Sequence, residues 1–286
     1  MTLAPAVAGE ATAPAHHRRT FRIRNHDFAD PVRTIDVHAT PEQVRQLEQD
    51  GYLVRERLIT GDVLQRLRDA ADELAHAHGG AQAAGEGRFG GLFVRNLMDK
   101  HSTFRDVLLR FEPCLSVARA LLGPQVQIHA TVLRVTYADS EGQGEQQTHW
   151  HFHQRVVPDP VPAFFNRTHV IDNLIYLDDI TEASGPLCVV PRTHLRDDDL
   201  PADDDSDKPG QVVLTVPAGS CVTAHSGLWH RAMPTRPGGG VRRLLILGYS
   251  PTWMKQVDRP GGGLTDELLP DADAETRELL GLAGYY

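Results

Sequence analysis

The sequence has little of what marks membrane, secreted and nucleic-acid-binding proteins. No apolar run in its 286 residues approaches the roughly 18 residues of a membrane span, and the N-terminus lacks the apolar core of a signal peptide. Three widely spaced cysteines without a C-x-x-C pair argue for a reducing compartment and against a disulfide framework. Acidic residues outnumber basic ones by 38 to 29, which argues against nucleic acid or an anionic membrane as a partner. We therefore expect a cytoplasmic protein.

Length and apolar content suffice for one large domain. Hydrophobic residues make up 41% of the chain, enough for a substantial core, although only 6% of the residues are aromatic. An Ala/Pro-rich stretch followed by basic residues predicts a disordered tail over residues 1–20. Residues 21–286 are expected to form a single domain, with a helical part over 40–125 and a β-rich core over 126–251.

The first half of the chain carries helix signals. A helix is predicted to begin at Thr40-Pro41-Glu42, where a capping hydroxyl precedes proline at the first helical position, and to end near Gly51. A short strand follows over 51–54. Apolar residues at helical spacing predict a second helix from Thr60 to Gly79, then a Gly/Ala-rich loop over 80–91. A further helix is predicted over 112–122.

From about residue 126 the pattern changes to short strands separated by Gly, Pro, Asp or Ser clusters. The predicted strands are Val126–Tyr137, Thr148–His153, His169–Leu177, Leu187–Val190, Val212–Val216, Cys221–Ala224 and Leu244–Tyr249. None is followed by a helix long enough for a parallel crossover. The predicted fold is mainly β, an antiparallel double-sheet jelly roll (cupin-like, a double-stranded β-helix) with N-terminal and flanking α-helices.

The candidate site is a set of alternating histidines. His149, His151 and His153 lie on one predicted strand, where alternate side chains share a face, and His230 follows 77 residues after His153. A metal held by such a pair and one distant histidine leaves neighbouring positions open for substrate and O₂. Arg242, about a dozen residues further on, can anchor an anionic co-substrate. This pattern is typical of a mononuclear non-heme iron oxygenase.

Four segments in order strengthen this interpretation, over about residues 43–250. They are QDGYLVRERLITGDVLQRLRDAADEL, THWHFHQ, LIYLDDITEASGPLCVVPRTH and AGSCVTAHSGLWHRAMPTRPGGGVRRLLILGYS. In this order they resemble the phytanoyl-CoA dioxygenase family of Fe(II)/2-oxoglutarate oxygenases. The resemblance implies a jelly-roll oxygenase domain that uses Fe(II) and 2-oxoglutarate.

The resemblance also assigns residue roles. It implies that His151 is the first iron ligand, that His230 is the distal ligand, and that Arg242 pairs with the C5 carboxylate of 2-oxoglutarate. The planar fork of arginine matches a carboxylate in two parallel hydrogen bonds. Arg243 is adjacent, but successive strand residues face opposite ways, so only one of the two can enter the pocket.

One position departs from the family. The motif is normally H-x-D, and here His153 stands where the aspartate is expected. His153 then either completes an all-histidine triad, or turns away and leaves the vacant position found in related halogenases, or marks a degenerate site. The sequence leaves all three open.

Substrate contacts are sought among residues near the metal motif. Phe164, Phe165 and Arg167 follow it in a loop where this fold builds its substrate wall. Arg134 lies on the preceding strand, and His149 flanks the proposed ligands. We hypothesise that these five residues contact the substrate.

The expected function is an Fe(II)- and 2-oxoglutarate-dependent dioxygenase that oxidises a small molecule, by default through hydroxylation, with secondary metabolism as one setting. Three alternatives stay open. They are a three-histidine dioxygenase without 2-oxoglutarate, a halogenase-like enzyme, and a non-catalytic binding protein on the same scaffold. Arg242 argues against the first, and the missing acidic ligand is the main support for the last.

Overall fold

The structure is a computed structural model that describes residues 16–22, 32–86, 91–140, 145–153, 169–196, 200 and 204–283. Its helices are α1 (Pro41–Asp50), α2 (Gly61–Ala77), α3 (Gly80–Glu86), α4 (Ser102–Leu108), α5 (Glu112–Leu122) and α6 (Ala274–Leu279). Short 3-10 helices lie at Leu97–Asp99, Thr193–Leu195 and Asp266–Asp271. Within the described ranges, no helix has both the length and the apolar character to cross a bilayer.

The strands form two facing sheets and a separate hairpin. They are β1 (His17–Arg22), β2 (Val32–Val37), β3 (Tyr52–Arg55), β4 (Leu92–Arg95), β5 (Val126–Tyr137), β6 (Ile171–Tyr176), β7 (Leu187–Val190), β8 (Val212–Leu214), β9 (Cys221–His225), β10 (Trp229–Ala232) and β11 (Val241–Pro251). The large sheet has the order β3-β9-β6-β11-β5-β4, the small sheet has the order β10-β7-β8, and β1 pairs with β2. Every pairing is antiparallel. The predicted mainly β fold with N-terminal and flanking helices is confirmed.

The large sheet buries both of its faces, and β11 shows how. Leu245 and Leu247 belong to a core cluster that includes Leu115 of α5 and residues of α2 and α4. Leu244 belongs to a second cluster, which includes Leu187 of the small sheet. Because alternate strand residues point to opposite faces, one face of the large sheet packs on the helices and the other faces the small sheet.

Local signals account for the first helix. The side chain of Thr40 accepts from the backbone N–H of Gln43, and the side chain of Gln43 accepts from the backbone N–H of Thr40. This capping box satisfies N–H groups that have no partner within the helix. Pro41 occupies the first turn, and Gly51 ends the helix in the left-handed region at φ 82°. The start and the end of α1 are as predicted.

The N-terminal region differs from the expectation of a disordered tail over 1–20. His17–Arg22 instead forms β1, paired with Val32–Val37. Alternate residues of β1 are half-buried, and Arg19 donates 2.8 Å to the carbonyl of Ala120. The basic composition concealed this alternation. Residues 1–15 lie outside the described residues.

Other elements also differ. Gly80–Glu86 is helical (α3) within the predicted loop 80–91, because alanine favours a helix. Thr148–His153 is not a continuous strand, and pairs with β10 through a single bridge between His151 and His230. Strands β4 and β10 and helices α4 and α6 were not predicted from the sequence.

Candidate metal centre

Backbone pairing brings the distant histidines together. The N–H of His151 donates 2.9 Å to the carbonyl of His230, and the N–H of His230 returns a bond of 2.9 Å to the carbonyl of His151. Two residues later, the N–H of His153 donates 2.7 Å to the carbonyl of Ser226, in the turn before β10. The segment that carries His151 and His153 is therefore tied to β10 at His151 and to the turn before β10 at His153.

The three side chains converge on one point. His151, His153 and His230 each offer a ring nitrogen, and these nitrogens lie within 4.8 Å of one another. The ring centroids are 4.3 Å apart for His151 and His230, 4.7 Å for His153 and His230, and 5.5 Å for His151 and His153. The side chain of His153 is 36% exposed, so the cluster can be reached from solvent. A divalent ion fits this donor set.

Hydrogen bonds fix which nitrogen of each ring is available. Nδ1 of His151 lies 2.7 Å from the carbonyl of His149, and Nδ1 of His230 lies 2.8 Å from the carbonyl of Leu228. A carbonyl oxygen only accepts, so both Nδ1 atoms must carry the proton. Each Nε2 then keeps its lone pair, which is the form that binds a metal.

His153 is held by a carboxylate. Its Nδ1 lies 2.6 Å from Oδ2 of Asp172, which is buried on β6 of the large sheet. An ionised carboxylate also only accepts, so Nδ1 of His153 carries the proton and Nε2 keeps its lone pair. All three rings thus present Nε2, each with a partner on Nδ1, as is usual for metal-binding histidines.

Burial keeps two of these rings neutral. Desolvation, followed by the neighbouring His153, lowers the pKa of His151 to about 4. Desolvation, then His151 and His153, holds the pKa of His230 well below its usual value. At neutral pH both rings are unprotonated and able to bind a cation.

Arg242 lies on the face of β11 that points towards the small sheet. Its side chain is buried, and Nη1 donates to the carbonyl of Gly185. Within the part of the chain that the structure describes, Nε and Nη2 have no hydrogen-bond partner. Desolvation lowers the pKa of this guanidinium. Two adjacent donors left unpaired on a buried cation form the edge that a carboxylate binds through two parallel hydrogen bonds.

Arg243 points the other way, as predicted. Nε donates 2.6 Å to Asp72 of α2, and Nη1 donates 2.6 Å to Asp178. Desolvation lowers the pKa of Arg243, but the hydrogen bond to Asp72 and the charge of Asp178 raise it more. Arg243 therefore joins the helices to the large sheet.

Further polar residues lie beside Arg242. Thr136 pairs with Arg242 across β5 and β11, and its buried Oγ1 has no hydrogen-bond partner among the described residues. Arg134 is two residues away on the same strand face; burial and the charge of Arg242 lower its pKa to about 9. Burial raises the pKa of Tyr176 to about 12, against the attraction of both arginines. These side chains form a buried, polar and cationic patch on the face of the large sheet that carries Arg242.

The predicted substrate residues have different outcomes. Arg134 is buried on the pocket face of the sheet. The side chain of His149 is 80% exposed and bonds to Asp205, so it does not join the cluster. The prediction that His149, His151 and His153 share one strand face is wrong at His149, because the segment is not a regular strand. Phe164, Phe165 and Arg167 lie outside the described residues.

Asp172, Thr136 and Tyr176 were not predicted from the sequence as site residues. A signal was available for Asp172, because a charged residue interrupts the apolar run of β6 and the strand is buried throughout. Burial of an acid calls for a partner, but nothing in the sequence names His153 as that partner.

The profile of the family described as "Phytanoyl-CoA dioxygenase (PhyH)" matches residues 47–244, more than half of the chain. The match covers the jelly roll and the segments that carry the three histidines. The chain belongs to the phytanoyl-CoA dioxygenase family, whose members use Fe(II) and 2-oxoglutarate. Among curated proteins, none matches the sequence significantly.

Solved structures share the fold. The α-ketoglutarate-dependent epimerase SnoN from nogalamycin biosynthesis has 18% identity and a TM-score of 0.59, over 74% of this chain and 80% of its own. The carbocyclase SnoK from the same biosynthesis has 18% identity and a TM-score of 0.57, over 82% and 91%. HygX from Streptomyces hygroscopicus, with nickel and 2-oxoglutarate bound, has 18% identity and a TM-score of 0.61, over 76% and 89%. These likenesses confirm the double-stranded β-helix fold.

Proposed function

We propose that this enzyme oxidises a small molecule, by default through hydroxylation, at an Fe(II) ion held by His151, His153 and His230. The convergence of three histidines, each with Nδ1 bonded to an acceptor, supports this most directly. Three ligands on one side of an ion leave positions open for 2-oxoglutarate and O₂. When bound, iron and 2-oxoglutarate supply the activation of O₂, which side chains alone do not provide.

The protein supplies orientation. Arg242 is held by the Gly185 carbonyl, and its unpaired Nε and Nη2 suit the distal carboxylate of 2-oxoglutarate. The unpartnered hydroxyl of Thr136 can donate to the same carboxylate. Because the guanidinium is buried without a counter-ion, an anion that enters this pocket meets little competition from water.

The substrate class follows by analogy with the structural relatives. SnoN and SnoK are named for epimerisation and carbocyclisation in the biosynthesis of one natural product. We place the substrate of this chain among small secondary metabolites, an argument that rests on shared fold. Hydroxylation stands as the default, and rearrangements of those two kinds are outcomes that the same pocket can support.

Two alternatives fit the geometry less well. A dioxygenase that does not use 2-oxoglutarate has no use for a buried arginine with two unpaired donors, as Arg242 has. A halogenase-like vacant position requires the residue in place of the acid to leave the metal, whereas His153 is directed to the cluster by Asp172.

An anaerobic titration tests the proposal. Fe(II) is added to the metal-free protein and 2-oxoglutarate is added next, while the visible metal-to-ligand charge-transfer band is followed. We expect the band to appear only when both are present, and O₂ then to convert 2-oxoglutarate to succinate. Zinc-loaded protein is the control, because a closed-shell ion gives no such band.

Each alternative predicts a different result. Iron binding without the band, together with O₂ consumption that does not need 2-oxoglutarate, would favour the three-histidine dioxygenase. Formation of the band followed by chlorination of a substrate would favour the halogenase. No metal binding at all would favour a binding protein and contradict the proposal.

A further inference from the structure

Resting on the proposed metal site, we infer that Asp172 is a positioning residue for iron. It holds His153 with Nε2 towards the ion. It also supplies the site's negative charge through His153, without binding the metal itself. The family places a carboxylate directly on the metal. Here the ligand is a neutral ring, and the carboxylate lies on the other side of that ring.

The contact is short and shielded. Oδ2 of Asp172 lies 2.6 Å from Nδ1 of His153, and the Asp172 side chain is only 8% exposed. A hydrogen bond to an ionised acceptor is about twice as strong as one between neutral groups. It also makes the imidazole more basic at Nε2, which strengthens the bond to a metal.

The strands leave room for this carboxylate. Gly248 of β11 pairs directly with Asp172 of β6. A Cβ atom at Gly248 would lie 2.8 Å from Oδ1 of Asp172, closer than Cβ contacts normally come. Any larger residue at 248 would push the carboxylate away from its place. Gly248 therefore leaves room on the large sheet for the side chain of Asp172, which reaches His153 on a separate segment.

Asp172 differs from the partners of the other two ligands. His151 and His230 are oriented by carbonyls two residues earlier in their own segments. His153 is oriented by the side chain of Asp172, which lies on β6 of the large sheet. Local backbone geometry therefore fixes two rings, and the orientation of the third depends on a substitutable residue.

The first test uses cobalt. Co(II)-loaded protein in water should show a shifted, solvent-exchangeable proton resonance from the Nδ1–H of each of the three ligands. In Asp172→Asn, which keeps shape and removes charge, we expect about 10–100-fold weaker Co(II) binding. One exchangeable resonance should move while the other two stay. Asp178→Asn is the matched control, since it removes a half-buried carboxylate that pairs with Arg243 away from the cluster, and it should leave Co(II) affinity and all three resonances unchanged.

The second test moves the charge. His153→Asp places a carboxylate next to Asp172, and two neighbouring carboxylates resist ionising together. Adding Asp172→Asn to His153→Asp removes this conflict and puts the single negative charge on the metal. We expect the double variant to bind Co(II) at least about tenfold more tightly than His153→Asp alone, a difference of about 1.4 kcal/mol in binding free energy, whereas the same Asp172→Asn change weakens binding in the parent.

The outcomes separate the two proposals. If the parent protein binds no Co(II), the proposed metal site fails and this inference fails with it. If the parent binds Co(II) and Asp172→Asn binds it equally well with the same three resonances, the metal site stands and the inference is overturned. The inference is also overturned if the effects of His153→Asp and Asp172→Asn on Co(II) affinity are additive.

Discussion

Replacing Arg242 with alanine removes the cation that we assign to the distal carboxylate of 2-oxoglutarate. The side chain is buried, and one nitrogen is held by the Gly185 carbonyl. Nε and Nη2 are free to bind the ligand. Since the arginine is already fixed by the fold, little side-chain entropy is lost when 2-oxoglutarate binds.

The expected loss follows from two hydrogen bonds. A hydrogen bond to a charged group contributes about 1.5–3 kcal/mol, so two of them contribute about 3–6 kcal/mol. At 1.4 kcal/mol for each factor of ten, Arg242→Ala should weaken 2-oxoglutarate binding by about two to four orders of magnitude. Arg242→Lys can keep one bond but not the fork, and should lose about one to two orders.

The assay is the dissociation constant of 2-oxoglutarate for the Fe(II)-loaded protein, measured without O₂ from the charge-transfer band. Affinity for Fe(II) itself should not change, because Arg242 is not one of the proposed ligands. A loss confined to 2-oxoglutarate separates an anchoring role from general damage to the fold.

Arg243→Ala is the matched control. Arg243 pairs with Asp72 and Asp178 on the other face of the sheet. Its removal should lower thermal stability and leave 2-oxoglutarate affinity unchanged. The reasoning is refuted if Arg242→Ala binds 2-oxoglutarate as the parent does, or if Arg243→Ala loses as much affinity.

Three further outcomes are expected. His151→Ala and His230→Ala should each abolish retention of Fe(II) or Ni(II) after gel filtration, as measured by elemental analysis, and full occupancy in either would disprove its assignment. Burial, then His194 and His169, lowers the pKa of His225 to about 3, so the unfolded state binds an extra proton at this residue between that pH and 6.5. As the pH falls through this window, His225 alone should remove up to about 1.4 kcal/mol of unfolding free energy per pH unit from the metal-free protein. The buried His151 and His230 add to the slope in the same direction. In denaturant melts His225→Asn should reduce the slope by the share of His225, while the exposed His76→Asn leaves it unchanged. Gly219→Ala should destabilise the fold by about 3 kcal/mol or more, since φ is +78° and a Cβ would overlap the Ile59 carbonyl; an unchanged melting temperature would contradict this.

Much of the fold was predictable because local chemistry determines it. The capping box at Thr40 and the left-handed Gly51 define α1 without help from distant residues. A buried strand such as β7 is a short apolar run bounded by turn residues. The opposite directions of Arg242 and Arg243 follow from strand alternation alone, once the register of one of them is known.

The features that were predicted wrongly or not at all depend on contacts between distant segments. The predicted common face of His149, His151 and His153 was wrong at His149. The segment from 148 to 153 pairs with β10 through one bridge, at His151, and the regular alternation of a strand does not extend to His149. Asp172 was missed as the partner of His153 because the two residues meet across the space between the sheets. Strand β10 is only four residues long, and it is defined by its pairing with β7.

The placement of the histidines also has a mechanical consequence. His230 belongs to the small sheet, whereas Asp172, which holds His153, belongs to the large sheet. An ion shared by His230 and His153 would act as a non-covalent cross-link between the two halves of the sandwich. Loading the metal to 100 times its dissociation constant would then add about 2.7 kcal/mol to the unfolding free energy. Iron supply would set the lifetime of the folded enzyme as well as its activity.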